Sequence, residues 1–315
     1  MPNVLCFTWS VGPTTPIERE LEHWLPSQGG DFDIIAVGTQ EHTFKAAANP
    51  EVEIMEEDED EELALRDYLP RESMSSWEAM IIERLNNERW VLCKSIAMKE
   101  SAALPREMRL SIFVRREHLQ AVPSIISDVQ ATKGSTDGAA VGAKGGLVIS
   151  LNFNASRLAF VSCHLAPKAH NVGLRNANCA AIVRETRRMV GMPELDVVSE
   201  FDHLFWMGNL NYHLDPGLLQ QAAAPASQPT VLGTAGAILL RPPVQSKRAR
   251  DTYETDEHKG VVNRLITDGA WDQLLEMDQL RWSQAQGEAF VEMQEGPINW
   301  PPTFPVCTPR VQTCP

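Results

Sequence analysis

No apolar run in the chain approaches the ~20 residues that a membrane-spanning helix needs, and Met1–Pro13 holds neither a basic stretch nor a cleavage-site pattern. A spanning protein and a secretory leader are therefore not expected. C-x-x-C spacing is also missing. The six cysteines, Cys6, Cys93, Cys163, Cys179, Cys307 and Cys314, are scattered and have no histidine cluster beside them. That argues against a disulfide frame or a zinc site and for thiols in a reducing, intracellular compartment. Basic residues are in deficit, 28 Lys and Arg against 42 Asp and Glu, for a net charge of −14. A general nucleic-acid binder needs the opposite footprint. No internal repeat is present.

What is there fits one large domain with a substantial core: 315 residues, 43% hydrophobic and 7% aromatic. Short apolar runs rich in β-branched and aromatic residues predict strands at Val4–Thr8, Ile34–Val37, Ser111–Val114, Leu147–Leu151, Leu158–Val161 and Leu204–Met207. Helical spacing predicts helices over Ser76–Asn86, Arg175–Met189, His258–Thr267 and Gln273–Gln286, the first with Trp77, Met80, Ile81 and Leu85 on one stripe. Ser76 is followed three residues later by Ala79, so it offers half a capping box. Strands and helices mix without regular βαβ alternation, which favours an α+β, two-layer β core with helices outside over a doubly wound sheet. Two stretches read as loops: the acidic run Glu56–Glu62 and the Pro/Ala/Ser-rich Gln220–Arg250. The latter ends in K-R-A-R, a solvated loop end by default and otherwise a contact for a membrane or an acidic partner.

The densest chemistry lies in Leu204–Leu214, L-F-W-M-G-N-L-N-Y-H-L, where an apolar strand runs into a glycine and two amides, Asn209 and Asn211. Alternation puts those two side chains on the same side of the strand end. Val37–Glu41, V-G-T-Q-E, ends a strand with a carboxylate suited to a hard divalent cation. Gly142–Leu147, G-A-K-G-G-L, combines glycines that turn backbone N–H groups toward an anion with the point charge of Lys144. Phe160–Ala166, F-V-S-C-H-L-A, leaves His164 at a strand end.

These segments, in this order, closely resemble the inositol polyphosphate 5-phosphatase family, which has the DNase I-like two-layer fold. The resemblance runs from Phe7 to about Phe304 and includes Trp271–Leu280 and E-G-P-I-N-W-P-P-T-F at Glu295–Phe304. It implies a family catalytic domain over residues 1–304 and an unrelated tail over 305–315. It also implies Mg²⁺ as cofactor, bound by Glu41, with Ser10 standing where the family has an Asn that supports metal and water. His164 would contact the scissile phosphate or the leaving oxygen. Asn211 would steady the phosphoryl oxygens. Asn209 occupies the position of an Asp that activates the attacking water. Lys144 would meet substrate phosphate, and His213 stands where the family has Arg. Arg175 and Asn176 match an R-N pair that either contacts further ring phosphates or is a helix-surface pair.

The implied ligand is a phosphoinositide lipid or a soluble inositol polyphosphate, with no nucleic acid. The implied location is the cytoplasm, peripheral at membranes. After Phe304 the pattern stops: the family's next two segments, including an Asp–His pair that polarises water, are not found in Pro305–Pro315. The last strands of the sandwich are expected to be missing with them. Three readings follow: a phosphatase removing the 5-phosphate with impaired activity, a non-catalytic relative binding phosphoinositide or a protein, or a fragment of a longer active enzyme. An amide at Asn209 cannot accept a proton; Ser10 and Asn209 favour the second reading, and the abrupt change after Phe304 favours the third.

Overall fold

The computed structural model describes residues 1–12, 18–42, 74–99, 106–132, 144–186, 195, 197–218 and 256–302. The acidic run, the Gln220–Arg250 loop, Gly142, Ala143 and the segment beyond residue 302 lie outside the described residues. The chain divides into two compact units. The first comprises Met1–Ala166 and Ala177–Leu210, the second Pro167–Asn176 and Asn211–Pro315.

The first unit is a sandwich of two four-stranded sheets. One sheet has the order β1-β2-β4-β3, from β1 (Val4–Ser10), β2 (Ile34–His42), β3 (Trp90–Lys99) and β4 (Glu107–Arg115). The other has the order β5-β6-β7-β8, from β5 (Ile125–Thr132), β6 (Lys144–Phe153), β7 (Ser156–His164) and β8 (His203–Asn209). Both sheets are mixed, with β1 parallel to β2 and β7 parallel to β8. The six predicted strands are all present and each is longer than its apolar core. β3 and β5 were not expected.

Period-two alternation explains how the layers meet. Ile34 and Ala36 of β2 and Met108, Leu110, Ile112 and Val114 of β4 point into a core shared with Leu147, Ile149, Leu151 and Phe153 of β6 and Leu158 and Phe160 of β7. Their neighbours Ile35, Val37 and Phe113 point the other way, into a second core. There they meet Trp77, Ile81, Ile82 and Leu85. Strands buried on both faces read as unbroken apolar runs, as I-I-A-V does here.

Besides the short helix α1 (Glu18–Leu21), the helix covering this outer face is α2 (Ser76–Leu85). It starts at Ser76 as expected and ends one residue earlier, but its cap is not Ser76. Ser75 is the N-cap, and Glu78 three residues on completes a reciprocal capping box. The other sheet is covered by α3 (Val172–Thr186), whose Ile182 lies 3.0–3.1 Å from where a Cβ on Gly146 would sit. A short helix α4 (Val197–Glu200) leads into β8.

The second unit holds α5 (Asp256–Thr267), α6 (Trp271–Glu276) and α7 (Gln279–Ala285). The single helix expected over Gln273–Gln286 is two, because Asp278 leaves the helical conformation and its carboxylate accepts the Leu280 N–H at 2.8 Å as the cap of α7. No helix among the described residues is long and apolar enough to cross a membrane.

Candidate functional site

Parallel pairing sets the geometry of the first unit's site. β1 and β2 run together, so their C-terminal ends emerge side by side, with Ser10 opposite Gln40 and the Val11 N–H bonded to the Gln40 carbonyl at 3.0 Å. β7 and β8 also run together, placing His164 opposite Asn209, and the Leu165 N–H bonds the Asn209 carbonyl at 3.0 Å. β6 is antiparallel to β7, so its first residues, Lys144 and Gly145, reach the same end. Five strand termini therefore supply Ser10, Glu41, Lys144, His164 and Asn209, all expected from the sequence.

Contacts join them across the two sheets. His164 Nε2 lies 4.0 Å from Glu41 Oε1. Asn209 Nδ2 donates to Ser10 Oγ at 3.4 Å, which leaves its Oδ1 as an acceptor. Lys144 Nζ lies 2.8 Å from His164 Nε2 and 3.1 Å from Nδ1. An ammonium has three hydrogens and no acceptor, so the ring nitrogen facing it accepts. Lys144 and His164 are 8% and 1% exposed, whereas the Glu41 side chain is 33% exposed. The carboxylate faces solvent and the two nitrogen bases line the wall behind it.

Two backbone features make this convergence feasible. Gly208 adopts φ 132, and a Cβ there would lie 2.0 Å from the Cys163 carbonyl oxygen, so only glycine lets β8 bring Asn209 beside His164. Glu41 itself has φ 59, the left-handed region, at a register shift between Thr39 and His42. Two β2 residues, Gln40 and Glu41, oppose Met108 alone, which is a β-bulge of the kind that re-aims a side chain.

Residues not expected from the sequence support the site. Gln40 Nε2 donates to Thr8 Oγ1 at 3.2 Å and to Ser162 Oγ at 3.3 Å, tying β1, β2 and β7 just beneath it. A glutamine closing an otherwise apolar strand was the available signal. His42, fully buried, has its pKa lowered from the ordinary 6.5 to about 4, by burial first and then by Arg109, with Glu78 opposing. It is held as a neutral ring.

The remaining expected residues belong to the second unit. Asn211 begins its second segment, with φ 54. His213 is exposed, and its backbone N–H and carbonyl both bond Gln279, each at 3.1 Å. Arg175 corrects the helix-surface reading: it is 0% exposed. Its guanidinium donates to the carbonyls of Lys168 at 2.7 Å and Ala169 at 3.0 Å and to Gln279 Oε1 at 2.7 Å, and stacks over Tyr212 at 4.9 Å. Those enclosed donors hold the unit together and are spent on it. Asn176, 7% exposed, accepts from Tyr212 Oη at 2.5 Å and donates to Glu288 Oε2 at 2.9 Å.

The donor chemistry of the first unit's site suits a hard cation. One carboxylate, an amide oxygen and a hydroxyl match Mg²⁺, which keeps several waters and binds through one or two carboxylates plus substrate phosphate. Among the described residues no group of three or more His, Cys, Asp or Glu is assembled to hold a metal ion.

The family model for endonuclease/exonuclease/phosphatase family 2 matches residues 7–226 and 251–310. A phosphatidylinositol 3,4,5-trisphosphate 5-phosphatase 2B of Danio rerio is 30% identical over 228 residues, covering 68% of this chain and 15% of the relative. A type I inositol polyphosphate 5-phosphatase 2 of Arabidopsis thaliana is 27% identical over 169 residues, covering 52% and 20%. This chain thus spans a fifth or less of the length of these relatives.

Among solved structures, the inositol polyphosphate 5-phosphatase domain of spsynaptojanin, crystallised with inositol (1,4)-bisphosphate and a calcium ion, superposes with a TM-score of 0.58 at 21% identity, covering 97% of this chain and 69% of that one. A Cimex nitrophorin, a ferrous NO complex, gives 0.55 at 16% identity, covering 95% and 76%. At these identities the two superpositions establish the fold, an α+β sandwich of DNase I type, and one fold carries several chemistries. The chain belongs to endonuclease/exonuclease/phosphatase family 2, in its inositol polyphosphate 5-phosphatase branch.

Proposed function

We propose that this chain binds a phosphorylated inositol, as a phosphoinositide headgroup or a soluble inositol polyphosphate, and hydrolyses its 5-phosphate slowly with Mg²⁺. The observation that carries the reading is the convergence of Glu41, Lys144, His164, Asn209 and Ser10 at one end of the sandwich, joined by the Glu41–His164 and Asn209–Ser10 contacts across the sheets. The names of the relatives supply the substrate class.

In the reaction, water attacks phosphorus in line, the P–O bond to the ring breaks, and the leaving oxygen takes a proton to give the inositol hydroxyl and inorganic phosphate. Glu41, with Asn209 and Ser10, would hold Mg²⁺, which when bound offsets charge on the phosphoryl oxygens. Lys144 offers N–H donors and a positive charge to the same oxygens. His164, beside it, is placed to donate to the phosphate or the leaving oxygen. Asn209 orients the water through its Oδ1 and takes no proton from it. Missing general-base assistance lowers rates by roughly 10²–10⁴-fold, and that is the basis for slow turnover. A headgroup substrate would bring the chain to a membrane surface from the cytoplasm as a peripheral protein.

The test is phosphate release from phosphatidylinositol bis- and trisphosphate vesicles and from soluble inositol polyphosphates, with and without Mg²⁺. Slow, Mg²⁺-dependent release abolished by Glu41→Gln is the expected result. Release within tenfold of a full-length family enzyme contradicts the impairment, and release indifferent to Glu41→Gln contradicts the site. Asn209 also favours a second reading, in which the same site binds the phosphorylated inositol without turnover. Saturable binding with no release would select it.

A further inference from the structure

Glu41 is held in an unusual way. Its left-handed φ of 59 is a conformation that is costly for a non-glycine residue and persists only where the surroundings over-determine it. The residues that bracket the bulge on the partner strand are Arg109, opposite Thr39, and Glu107, opposite His42. These two are joined by a 2.9 Å hydrogen bond from Arg109 Nη2 to Glu107 Oε1. Arg109 Nη1 donates onward to Ser95 Oγ of β3 at 2.9 Å and faces Glu78 Oε2 at 3.5 Å.

Glu78 is the anchor. It is 0% exposed, sits in the first turn of α2, and accepts the Ser75 N–H at 2.8 Å, the Ser75 hydroxyl at 2.9 Å and the Ser111 hydroxyl at 2.5 Å. A buried carboxylate is costly unless paired and hydrogen-bonded. Here the pairing ties the covering helix and both neighbouring strands to the two positions that flank the bulge. His42, immediately after Glu41, is buried against the same assembly, its ring 6.3 Å from Trp77 of α2.

Resting on the cation-site reading above, we propose that Glu78 and Arg109 are positioning residues: they clamp the β2 bulge so that Glu41 presents its carboxylate, and thereby set the divalent-cation affinity of the site. Neither touches substrate or cation. They act through the backbone of β2, as outer-shell partners do when they orient a ligand.

Mn²⁺ alone, followed by water-proton relaxation on the full chain, measures the affinity without turnover. Glu78→Gln preserves the capping box, because glutamine serves at the same helix position, so the helix should still form. Arg109→Met removes the charge while keeping the stem. Each should weaken Mn²⁺ binding by roughly tenfold or more, the range that loss of outer-shell partners gives. Leu85→Ala, which destabilises α2 through a cavity without touching the network, should leave the affinity unchanged. Glu41→Gln should abolish binding. If Glu41→Gln abolishes binding while Glu78→Gln and Arg109→Met leave it intact, the positioning role is refuted and the site stands. A loss in Leu85→Ala equal to theirs refutes it as well, since general softening of the helix would then suffice. Failure of the wild-type chain to bind Mn²⁺, or binding indifferent to Glu41→Gln, overturns the cation site itself and the positioning role with it.

Discussion

Replacing Gly38 with alanine perturbs a point where the two sheets approach closely beneath the site. A Cβ built there lies 2.5 Å from Ser162 Oγ, 3.1 Å from Ser162 Cβ and 3.6 Å from Met207 Sδ. Ser162 is fully buried and its hydroxyl accepts from Gln40 Nε2 at 3.3 Å, so it has no room to yield without leaving that bond. Overpacking of a well-packed core costs ~1–3 kcal/mol, and the broken hydrogen bond adds ~1 kcal/mol. The single variant should therefore lose about 2–4 kcal/mol in urea unfolding, each kcal/mol lowering Tm by ~2–4 °C for a domain of 150–250 residues. Ser162→Ala alone loses only the hydrogen bond, about 1 kcal/mol. Combining the two removes the clashing oxygen and leaves the methyl against Ser162 Cβ at 3.1 Å, a contact that a small shift relieves. The double variant should thus be more stable than the sum of the singles predicts, by about 1 kcal/mol or more. Strict additivity would show that the alanine methyl is accommodated elsewhere and that the sheets are not in contact through this pair.

Other consequences concern charge and thiols. Burial raises the pKa of Asp278 above the ordinary carboxylate value, against the pull of the Leu280 N–H and Arg281. A raised folded-state pKa gives stability that is full below the unfolded value and is lost as pH rises through the folded one. Asp278→Asn keeps a capping side chain and should therefore stabilise the second unit at pH 7, a gain that disappears in melts near pH 3; destabilisation at pH 7 would contradict the burial argument. Burial pushes the thiols of Cys6 and Cys93 up to about 12 and that of Cys163 well above its ordinary value. Iodoacetamide at pH 8 should leave all three unmodified in the native chain by mass spectrometry and alkylate them in urea, because the thiolate is the reacting form. Arg175→Lys should lower Tm measurably, since one ammonium cannot replace donors that reach Lys168, Ala169 and Gln279 together; an unchanged Tm would contradict the structural role.

The fold was legible where burial imposes a pattern. Ile34–Val37 and Leu158–Val161 are buried on both faces and read as apolar runs, so their strands were recognisable. β3 was not, because Lys94 and Ser95 interrupt its apolar pattern and its register shifts between Leu92 and Lys94. β5, I-I-S-D-V-Q-A-T, is half polar and gains its strand identity from pairing along β6. The start of α2 at Ser76 was legible but its cap was not, because Ser75 is recognisable only through Glu78 three positions on.

The site was legible in its strand-end residues, since Glu41, Lys144, His164 and Asn209 carry chemistry and follow apolar runs. Its supports were not. Gln40 and Ser162 are 122 residues apart, and Arg175 and Gln279 are 104 apart. Local pattern carries no information about such pairs, so the burial of Arg175 was not legible.

The most direct test of the account is calorimetric binding of a soluble inositol trisphosphate in the presence of Mg²⁺, comparing the wild-type chain with Lys144→Met and Glu41→Gln. Lys144 should supply a charge-assisted contact, the kind worth about 1.5–3 kcal/mol, so its loss should weaken binding by roughly tenfold to a hundredfold. Glu41→Gln should remove the Mg²⁺ dependence and leave a weaker, metal-independent affinity. Equal affinities in all three chains, with or without Mg²⁺, would contradict the claim that these strand ends form one anion- and cation-binding site.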